Sequence, residues 1–186
     1  MDKRLATLEE IEAAIWDELA RAAADRQHPW RVGVLATVAC EDGEPLADAR
    51  TVVTREVEVA THTLLIYTDA RAGKAHQLQK HPIGTLVMWS PVLGWQLRCR
   101  VRLELEEDGL AVSSRWAYIR QTPGAHDYLS PLAPGSPLES PLTPRGGREH
   151  FAMISAAVES LDWLELHPDG QRRARFDASG RRWLQP

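Results

Sequence analysis

The sequence predicts a mainly β protein in which antiparallel strands close into a barrel and helices lie at the edges. Short apolar segments recur along the chain and are separated by turn signals such as Asp42-Gly43, Asp169-Gly170 and Ser179-Gly180. The run Trp95–Glu104 alternates apolar and polar residues, which is typical of a half-buried antiparallel strand. Short strands bury their apolar faces best in a sheet that closes on itself, and closure also removes exposed edges.

The helices are predicted from capping signals and helical spacing. Residues 7–26 begin with a capping box of Thr7 and Glu10, and apolar residues then recur at helical spacing. A short helix is predicted over Ala72–Lys80, and another follows Asp108. The predicted strands are Arg31–Cys40, Ala47–Arg55, Thr61–Thr68, Ile83–Trp89, Trp95–Glu104, Ala152–Glu159, Leu161–Leu166, Arg172–Phe176 and Arg181–Leu184.

The composition excludes several classes of partner. The chain has 186 residues, and we expect a single domain over 1–186 with an N-terminal helical part over 1–28. A net charge of −4 offers no broad basic field for nucleic acid or an anionic membrane, and no segment reads as a signal peptide or a membrane span. Cys40 and Cys99 lack the spacing of a metal site or a disulfide framework, so we expect a reducing, cytoplasmic compartment.

Residues 121–148 differ from the rest of the chain, because half of its twelve prolines lie there. A loop of this length inside a compact domain is usually functional or disordered. We expect this Pro-rich loop to cover a site or to cross to a partner subunit.

Side chains that could bind an anion are concentrated between residues 50 and 96. Arg50 offers a planar fork for two phosphate oxygens. Lys74 lies in the first turn of a predicted helix, where free N–H groups also favour an anion, and Thr51 and Thr68 add hydroxyl donors. The alternative is that Arg50 and Lys74 are solvated surface charges, which is the usual state of these residue types. Spacing alone leaves both interpretations open.

Familiar catalytic patterns are absent from the sequence. It has no G-x-S-x-G elbow, no H-E-x-x-H, no Walker loop and no dinucleotide fingerprint. The seven histidines are scattered, and none pairs with Cys or carboxylates at metal-ligand spacing, so no metal is expected. The sequence therefore offers a set of donors without an obvious nucleophile.

Four ordered blocks of the sequence resemble the pyridoxamine/pyridoxine 5'-phosphate oxidase family. They are Ala49-Arg50-Thr51-Val52-Val53, Ile66-Tyr67-Thr68-Asp69, Lys74-Ala75-His76-Gln77-Leu78, and Trp89-Ser90-Pro91 with Trp95-Gln96-Leu97-Arg98. The C-terminal Leu161-Asp162-Trp163, Arg175-Phe176 and Trp183-Leu184-Gln185-Pro186 are similar to the closing block of the family. The resemblance covers residues 30–186 and implies the FMN-binding split β-barrel, an antiparallel Greek-key barrel with flanking α-helices.

The resemblance also implies an FMN site at the interface of a homodimer. The residues at the phosphate positions are Arg50 and Lys74, with Thr68 beside them, and Thr51 is a further cofactor-binding residue. The residues at the flavin positions are Val52, Val53, Tyr67 and Gln96. The residues expected from the second subunit are Trp163 and Arg175. The structural alternatives are that Gln96 is a solvated strand residue and Trp163 is core packing, and Trp89 is expected to pack the barrel.

The substrate grip of the family is incomplete in this chain. Its Tyr, Arg and Ser at four-residue steps correspond to Trp116, Arg120 and Gly124, so only the arginine is kept. Its basic lysine near the first block corresponds to Arg55, which keeps the charge but not the geometry. Its Arg-Leu-His motif falls on Gln171-Arg172-Arg173, where neither the arginine nor the histidine is in place. Arg55 and Arg120 are therefore the candidate substrate-binding residues, and the small-molecule substrate is left open.

These features predict an FMN-dependent oxidoreductase in which the flavin passes hydride, so that no dedicated acid–base pair is required and no catalytic side chain is assigned. Two alternatives within the family are a genuine pyridoxamine 5'-phosphate oxidase with an altered substrate grip and a flavin-binding module without turnover. A further alternative is a small antiparallel barrel that binds another phosphate or an apolar ligand.

Overall fold

The computed structural model describes residues 4–139 and 150–186. Its helices are α1 (Leu8–Ala24), α2 (Gly73–Lys80) and α3 (Gly109–Ile119), and short 3-10 turns occupy Pro29–Arg31, Val59–Thr61 and Pro123–Tyr128. Its strands are β1 (Val32–Glu41), β2 (Glu44–Glu58), β3 (Thr63–Asp69), β4 (Ile83–Ser90), β5 (Trp95–Glu106), β6 (Phe151–Glu165), β7 (Arg172–Asp177) and β8 (Gly180–Leu184). With one exception, the predicted helices and strands are present within a few residues of their predicted bounds.

The exception is β6, which joins two segments predicted as separate strands, Ala152–Glu159 and Leu161–Leu166. The chain continues as one strand of 15 residues, with a register shift opposite Arg100 and Val101 on β5. A β-bulge lets a strand bend without ending, so the polar residues at this point do not mark a turn. Strand β2 also has 15 residues. The prediction that the barrel is built from short strands throughout was therefore wrong, although the prediction of a barrel was right.

The eight strands form one antiparallel sheet in the order β3-β2-β1-β4-β5-β6-β7-β8, and β3 also pairs with β6. This additional pairing closes six of the strands into the predicted barrel. Strand β6 takes part twice, because its first half lies between β3 and β5 and its second half between β5 and β7. The closed part therefore ends midway along β6, and β7 and β8 extend the sheet beyond it.

The inward-facing residues of the strands fill the barrel. On β5, the predicted alternation is confirmed, because Trp95, Leu97, Cys99, Val101 and Leu103 are all buried and the arginines between them are exposed. Alternate residues of a strand point to opposite faces, so one face of β5 is core and the other is the outside of the barrel. This outer face carries several of the predicted site residues.

Helix α1 covers one side of the barrel and packs against β2 and β8. Its capping box is formed as predicted, with Thr7 and Glu10 each accepting a hydrogen bond from the backbone N–H of the other. Ile11, Ile15 and Leu19 are fully buried. The helical spacing of the apolar residues therefore identified the face that packs on the barrel.

A second apolar cluster lies where α3 packs on the start of β6. Its buried members are Val112, Trp116, Ile119, Ala125, Tyr128, Phe151 and Met153. The predicted Pro-rich loop contributes Tyr128 to this cluster, and Arg71 donates hydrogen bonds to the backbone carbonyls of Ser130 and Leu132 in the same loop. The remainder of that predicted loop, residues 140–148, lies outside the described residues.

Two absences hold for the described part of the chain. None of its helices is long and apolar enough to cross a membrane. No group of three or more His, Cys, Asp or Glu residues within 4–139 and 150–186 is placed to hold a metal ion. Cys40 is an exposed free thiol, and Cys99 is a free thiol buried in the core.

Candidate functional site

Strands β1 and β2 meet helix α2 where the sequence predicted an anion site. Arg50 lies on β2, and its guanidinium donates to the side-chain oxygens of Thr37 on β1 and Gln77 on α2, the latter at 2.9 Å. It also forms an ion pair with Asp48, which lies two residues earlier on the same face of β2. The Gln77 amide in turn donates to Asp48 at 2.6 Å. Arg50 is therefore held beside α2, and the Asp48 carboxylate partly neutralises its charge.

Lys74 is the second cation at this site. It lies in the first turn of α2, whose N-cap residue, Ala72, offers no side-chain hydrogen bond to the free N–H groups. None of the described residues forms a hydrogen bond or an ion pair with the Lys74 ammonium. Burial lowers the pKa of Lys74, and repulsion by Arg50 lowers it further, against a weaker attraction by Asp69. An anion bound here would stabilise both cations.

A cavity of about 190 Å³ opens beside Lys74. Most of its walls come from predicted cofactor-binding residues, and two come from the predicted Pro-rich loop. The lining residues are Val32, Thr51, Val52, Val53, Arg55, Tyr67, Lys74, Asp127 and Tyr128. The structure thus brings five of the predicted cofactor-binding residues, together with Arg55, around one cavity, and the loop covers one side of it.

Thr68 does not lie on the wall of this cavity. Its side chain is buried, and its hydroxyl donates to the carbonyl of Asp69 at 3.3 Å. Alternation along β3 turns Thr68 to the face opposite Tyr67, which does line the cavity. The hydroxyl of Thr68 is therefore engaged locally in this structure.

Tyr67 is held at the cavity wall by a network that joins β2, β3 and α3. Its hydroxyl donates to Glu56 at 2.5 Å, and Arg115 of α3 binds the same carboxylate through two hydrogen bonds of 2.7 Å. Burial, and then the hydrogen bond to Glu56, raises the pKa of Tyr67 well above its ordinary value. The phenol is therefore a neutral, anchored wall of the cavity.

Sequence reasoning missed four residues of this site. Asp48 and Gln77 had a local signal, because Asp48 is two residues from Arg50 on one strand face and Gln77 is three residues from Lys74 on one helix face. Glu56 and Arg115 had none, because 59 positions separate them in the chain. Only the packing of α3 on the sheet brings them together.

Comparison with known proteins identifies the family. The family model for the pyridoxamine 5'-phosphate oxidase, FMN-binding domain matches residues 13–106, which are half of the chain. This chain belongs to the pyridoxamine 5'-phosphate oxidase FMN-binding family. FMN is the cofactor of the domain. Lys74, which has no partner among the described residues, lies beside Arg50 and fits the FMN phosphate. No curated protein is a significant match to the chain.

Solved structures with this fold include relatives of the family. A pyridoxamine 5'-phosphate oxidase-related, FMN-binding protein from Nostoc punctiforme is 26% identical, with a TM-score of 0.72 and 98% of each chain covered. PhzG from Burkholderia lata, solved in complex with tetrahydrophenazine-1-carboxylic acid, is 16% identical, with a TM-score of 0.69 and 100% of this chain and 99% of that chain covered. A protein from Clostridium acetobutylicum related to general stress protein 26 is 12% identical, with a TM-score of 0.56 and coverages of 94% and 98%. The last two similarities concern the fold alone.

Gln96 and Trp163, which the family resemblance placed over the flavin, lie on opposite faces of the sheet. Gln96 is half-buried on the outer face of β5, where it pairs with Trp89 of β4 and Leu164 of β6. Trp163 points into the barrel, is fully buried and packs edge-on against Trp95 with 5.4 Å between ring centroids. Because successive strand residues face opposite ways, Leu164 shares the face of Gln96 and Trp163 does not. The position of Trp163 corresponds to the core-packing alternative.

Arg175 lies on the outer face of β7, which extends the sheet beyond the closed barrel. Its guanidinium donates to Asp177 at 2.8 Å. Because β3 pairs with β6, only strands β3 and β6 lie between β7 and β2, which carries Thr51. Arg175 is nevertheless not among the residues that line the cavity at Lys74.

The expectation that Trp89 packs inside the barrel is wrong. Trp89 is 44% exposed on the outer face, between two buried neighbours that point inward. Val32 and Val34 of β1 are 49% and 41% exposed on the same face, since Val34 pairs with Val87 of β4. We call Val32, Val34 and Trp89 the outer apolar patch. Because Val32 also lines the cavity at Lys74, this patch adjoins that cavity.

A larger cavity, of about 850 Å³, adjoins the first and shares Arg55, Tyr67 and Asp127 with it. Of the three positions of the family's substrate grip, only Gly124 lines this cavity. Trp116 is buried in the second apolar cluster, and Arg120 is exposed after the end of α3 and is not part of the cavity wall. Arg55 thus lies between the two cavities, whereas Arg120 lies outside both.

Proposed function

We propose that the chain is an FMN-dependent oxidoreductase that acts as a homodimer on a small molecule held in the larger cavity. The observation that carries this proposal is the position of Lys74. It is a cation without a hydrogen-bonding or ion-pairing partner in the described part of the chain, at a helix start, beside Arg50 and beside a cavity walled by Val52, Val53 and Tyr67.

The phosphate of FMN suits the start of α2. It would accept hydrogen bonds from Lys74 and from free N–H groups in the first turn of the helix, where the helix dipole favours negative charge. Arg50 would supply a second cation. The hydrogen bond that it donates to Gln77 keeps it oriented, although Asp48 competes for it. Both cations gain a partner when the phosphate binds.

The homodimer is proposed from what a single chain lacks. Ligand sites usually enclose roughly 300–1,000 Å³, and the cavity of about 190 Å³ at Lys74 is smaller than that. The outer apolar patch adjoins this cavity through Val32, and a contiguous exposed apolar patch is typical of a protein interface. Gln96 and Arg175 lie on the same outer face and neither lines this cavity, so a second copy would bring them to the flavin. We propose that copy as the occupant of the patch.

When bound, FMN supplies reversible acceptance of hydride or electrons, and the chain supplies binding and orientation. Tyr67 would hold one wall of the site as a neutral phenol, because Glu56 and Arg115 anchor its hydroxyl. Arg55 would stand between the cofactor cavity and the substrate cavity. The incomplete family grip argues against pyridoxine 5'-phosphate as the substrate.

We also propose that residues 1–186 act as one domain in the cytoplasm. The free thiols of Cys40 and Cys99 suit a reducing compartment, where exposed cysteines remain unpaired.

The test is a visible absorption spectrum of the purified protein, followed by anaerobic addition of a reduced nicotinamide or of pyridoxamine 5'-phosphate. A bound flavin whose absorbance bleaches with either donor supports the oxidoreductase. A bound flavin that neither compound bleaches favours a flavin-binding module without turnover. A colourless protein that does not take up added FMN would contradict the proposal as a whole.

A further inference from the structure

The larger cavity carries an excess of positive charge. Its charged lining residues are Arg26, Arg31, Arg55, Arg115, Glu56 and Asp127. Arg115 and Glu56 are joined by two hydrogen bonds and neutralise each other. The Asp127 side chain is 66% exposed, and its carboxylate is 4.0 Å from Arg55, at the limit of an ion pair. The carboxylates of the cavity therefore leave Arg26 and Arg31 uncompensated.

Arg31 is oriented by backbone rather than by a carboxylate. One of its terminal nitrogens donates to the carbonyls of Ala22, at 3.2 Å, and Ala23, at the end of α1. Its other N–H groups have no hydrogen-bond acceptor in the part of the chain that the structure describes. Burial lowers the pKa of Arg31, and repulsion by Arg55 and then Arg26 adds to this effect, against a weaker attraction by Asp25. Two guanidinium groups that line the same cavity thus repel Arg31, and a bound anion would relieve that repulsion.

Arg55 gives a second, independent indication of a ligand. Its Nε atom is buried and has no hydrogen-bond partner among the residues that the structure describes. Buried donors are normally satisfied, so an unpaired one marks a place where a ligand or water oxygen belongs. The same guanidinium lies 5.8 Å from the centre of the Tyr67 ring and 3.4 Å from the Tyr128 hydroxyl, at the boundary between the two cavities.

Resting on the proposed function, we propose that the substrate is a small oxyanion, a carboxylate or a phosphate ester, whose charged group binds between Arg31 and Arg55. Arg26 lies at the exposed rim and attracts the same group. The neutral part of the substrate lies towards Tyr67 and the FMN. The anion-binding residues of this chain therefore lie at the junction of α1 and β1. The family's substrate-binding positions lie at the end of α3, where Arg120 of this chain faces solvent. A volume of about 850 Å³ lies within the range of small-molecule sites, roughly 300–1,000 Å³.

The test is calorimetric titration of the FMN-loaded protein with benzoate and, separately, with inorganic phosphate. Arg31→Gln removes the central cation, and Arg26→Glu reverses the charge of an exposed residue without touching the packing. Each should weaken the tighter-binding probe about tenfold or more, the effect of one lost charged contact, and leave FMN affinity unchanged. Arg21→Gln, on the exposed side of α1 and outside the cavity, is the matched control and should bind both probes as the wild type does.

The outcomes separate this inference from the proposed function. Tighter binding of benzoate identifies a carboxylate substrate, and tighter binding of phosphate identifies a phosphate ester. An FMN-loaded wild type that binds neither probe, or an Arg26→Glu variant that binds them as well as wild type, overturns the anion site alone. Arg26→Glu decides the question should Arg31→Gln fail to fold, since Arg31 also caps α1. A wild type that takes up no FMN overturns both proposals.

Discussion

Arg50 and Lys74 are like charges held together at the start of α2, near enough for Arg50 to lower the pKa of Lys74. In the described part of the chain, the one carboxylate that pairs directly with either cation is Asp48, which binds Arg50. The protein without ligand therefore carries an electrostatic cost at this point. A phosphate dianion removes that cost. Changes at Arg50, Asp48 and Lys74 test this.

Replacement of Arg50 by alanine is expected to weaken FMN binding by about 2–4 kcal/mol, because a half-buried partner of the phosphate is lost. Titration of FMN fluorescence with protein measures the affinity. Arg181→Ala removes another arginine, one that pairs with Glu12 on α1, and is expected to leave the affinity unchanged. Equal affinities for wild type and Arg50→Ala would remove Arg50 from the phosphate site.

Replacement of Asp48 by asparagine is expected to tighten FMN binding by about 0.5–1 kcal/mol, the scale of a partly exposed ion pair. The hydrogen bond from Gln77, and then the attraction of Arg50, lowers the pKa of Asp48, so its carboxylate competes with the phosphate for Arg50. Asparagine keeps an acceptor for Gln77 and removes the charge. Weaker binding by Asp48→Asn would mean that Asp48 serves mainly to orient Arg50.

The stability of the FMN-free protein is expected to depend on pH through Lys74. Burial and Arg50 lower its pKa in the folded protein below its ordinary value of 10.5. Between the two values the unfolded chain holds more protons than the folded protein, so the free energy of unfolding rises with pH in that window. Urea unfolding at a series of pH values measures this rise. Lys74→Met lacks the titrating group and should lose it.

FMN affinity should change in the opposite sense over the same window. The phosphate favours the charged ammonium, so binding weakens as pH rises through the lowered pKa of Lys74. Lys74→Met should bind FMN more weakly than wild type at neutral pH and should lack this dependence. A wild type and a Lys74→Met variant with the same pH profile would show that Lys74 does not meet the phosphate.

The Glu56 carboxylate is expected to stabilise the packing of α3 on the sheet. Burial would raise its pKa, but hydrogen bonds from Arg115 and Tyr67 outweigh burial and lower it. Its contribution is therefore present above its ordinary pKa of 4.5 and is lost as pH falls through the lower folded value. After allowance for solvent screening, Glu56→Gln should cost about 1 kcal/mol at neutral pH.

Urea unfolding measures that difference, with Glu44→Gln on the exposed start of β2 as the control. The difference between wild type and Glu56→Gln should shrink in acid. A difference that is constant from neutral pH to acid would show that the charge of Glu56 contributes nothing.

Disruption of the outer apolar patch is expected to separate the proposed homodimer. Trp89→Asp places a charge in the centre of the patch, and light scattering should then report a monomer with weakened FMN affinity. Leu110→Asp changes a large apolar residue that is 86% exposed on α3, away from the patch, and should remain dimeric. A wild type that scatters as a monomer at the concentrations of the FMN titration would contradict the proposed interface.

The sequence by itself determined the elements and the chemistry that lies within one element. The alternation of β5, the capping box of α1 and the cation in the first turn of α2 are local patterns, and each is present in the structure. Local patterns are reliable here because the spacing of core-facing residues differs between a strand and a helix, and that spacing can be read from the sequence. The ordered blocks around Arg50, Tyr67 and Lys74 also indicated the family.

The tertiary structure alone decided which residues meet across the sheet. The pairing of β3 with β6 closes the barrel, the register of β5 and β6 places Leu164 rather than Trp163 beside Gln96, and the packing of α3 joins Arg115 to Glu56. A shift of one residue in register would turn every side chain of a strand to the other face. Register depends on contacts between segments distant in the chain, so no pattern within one segment can specify it.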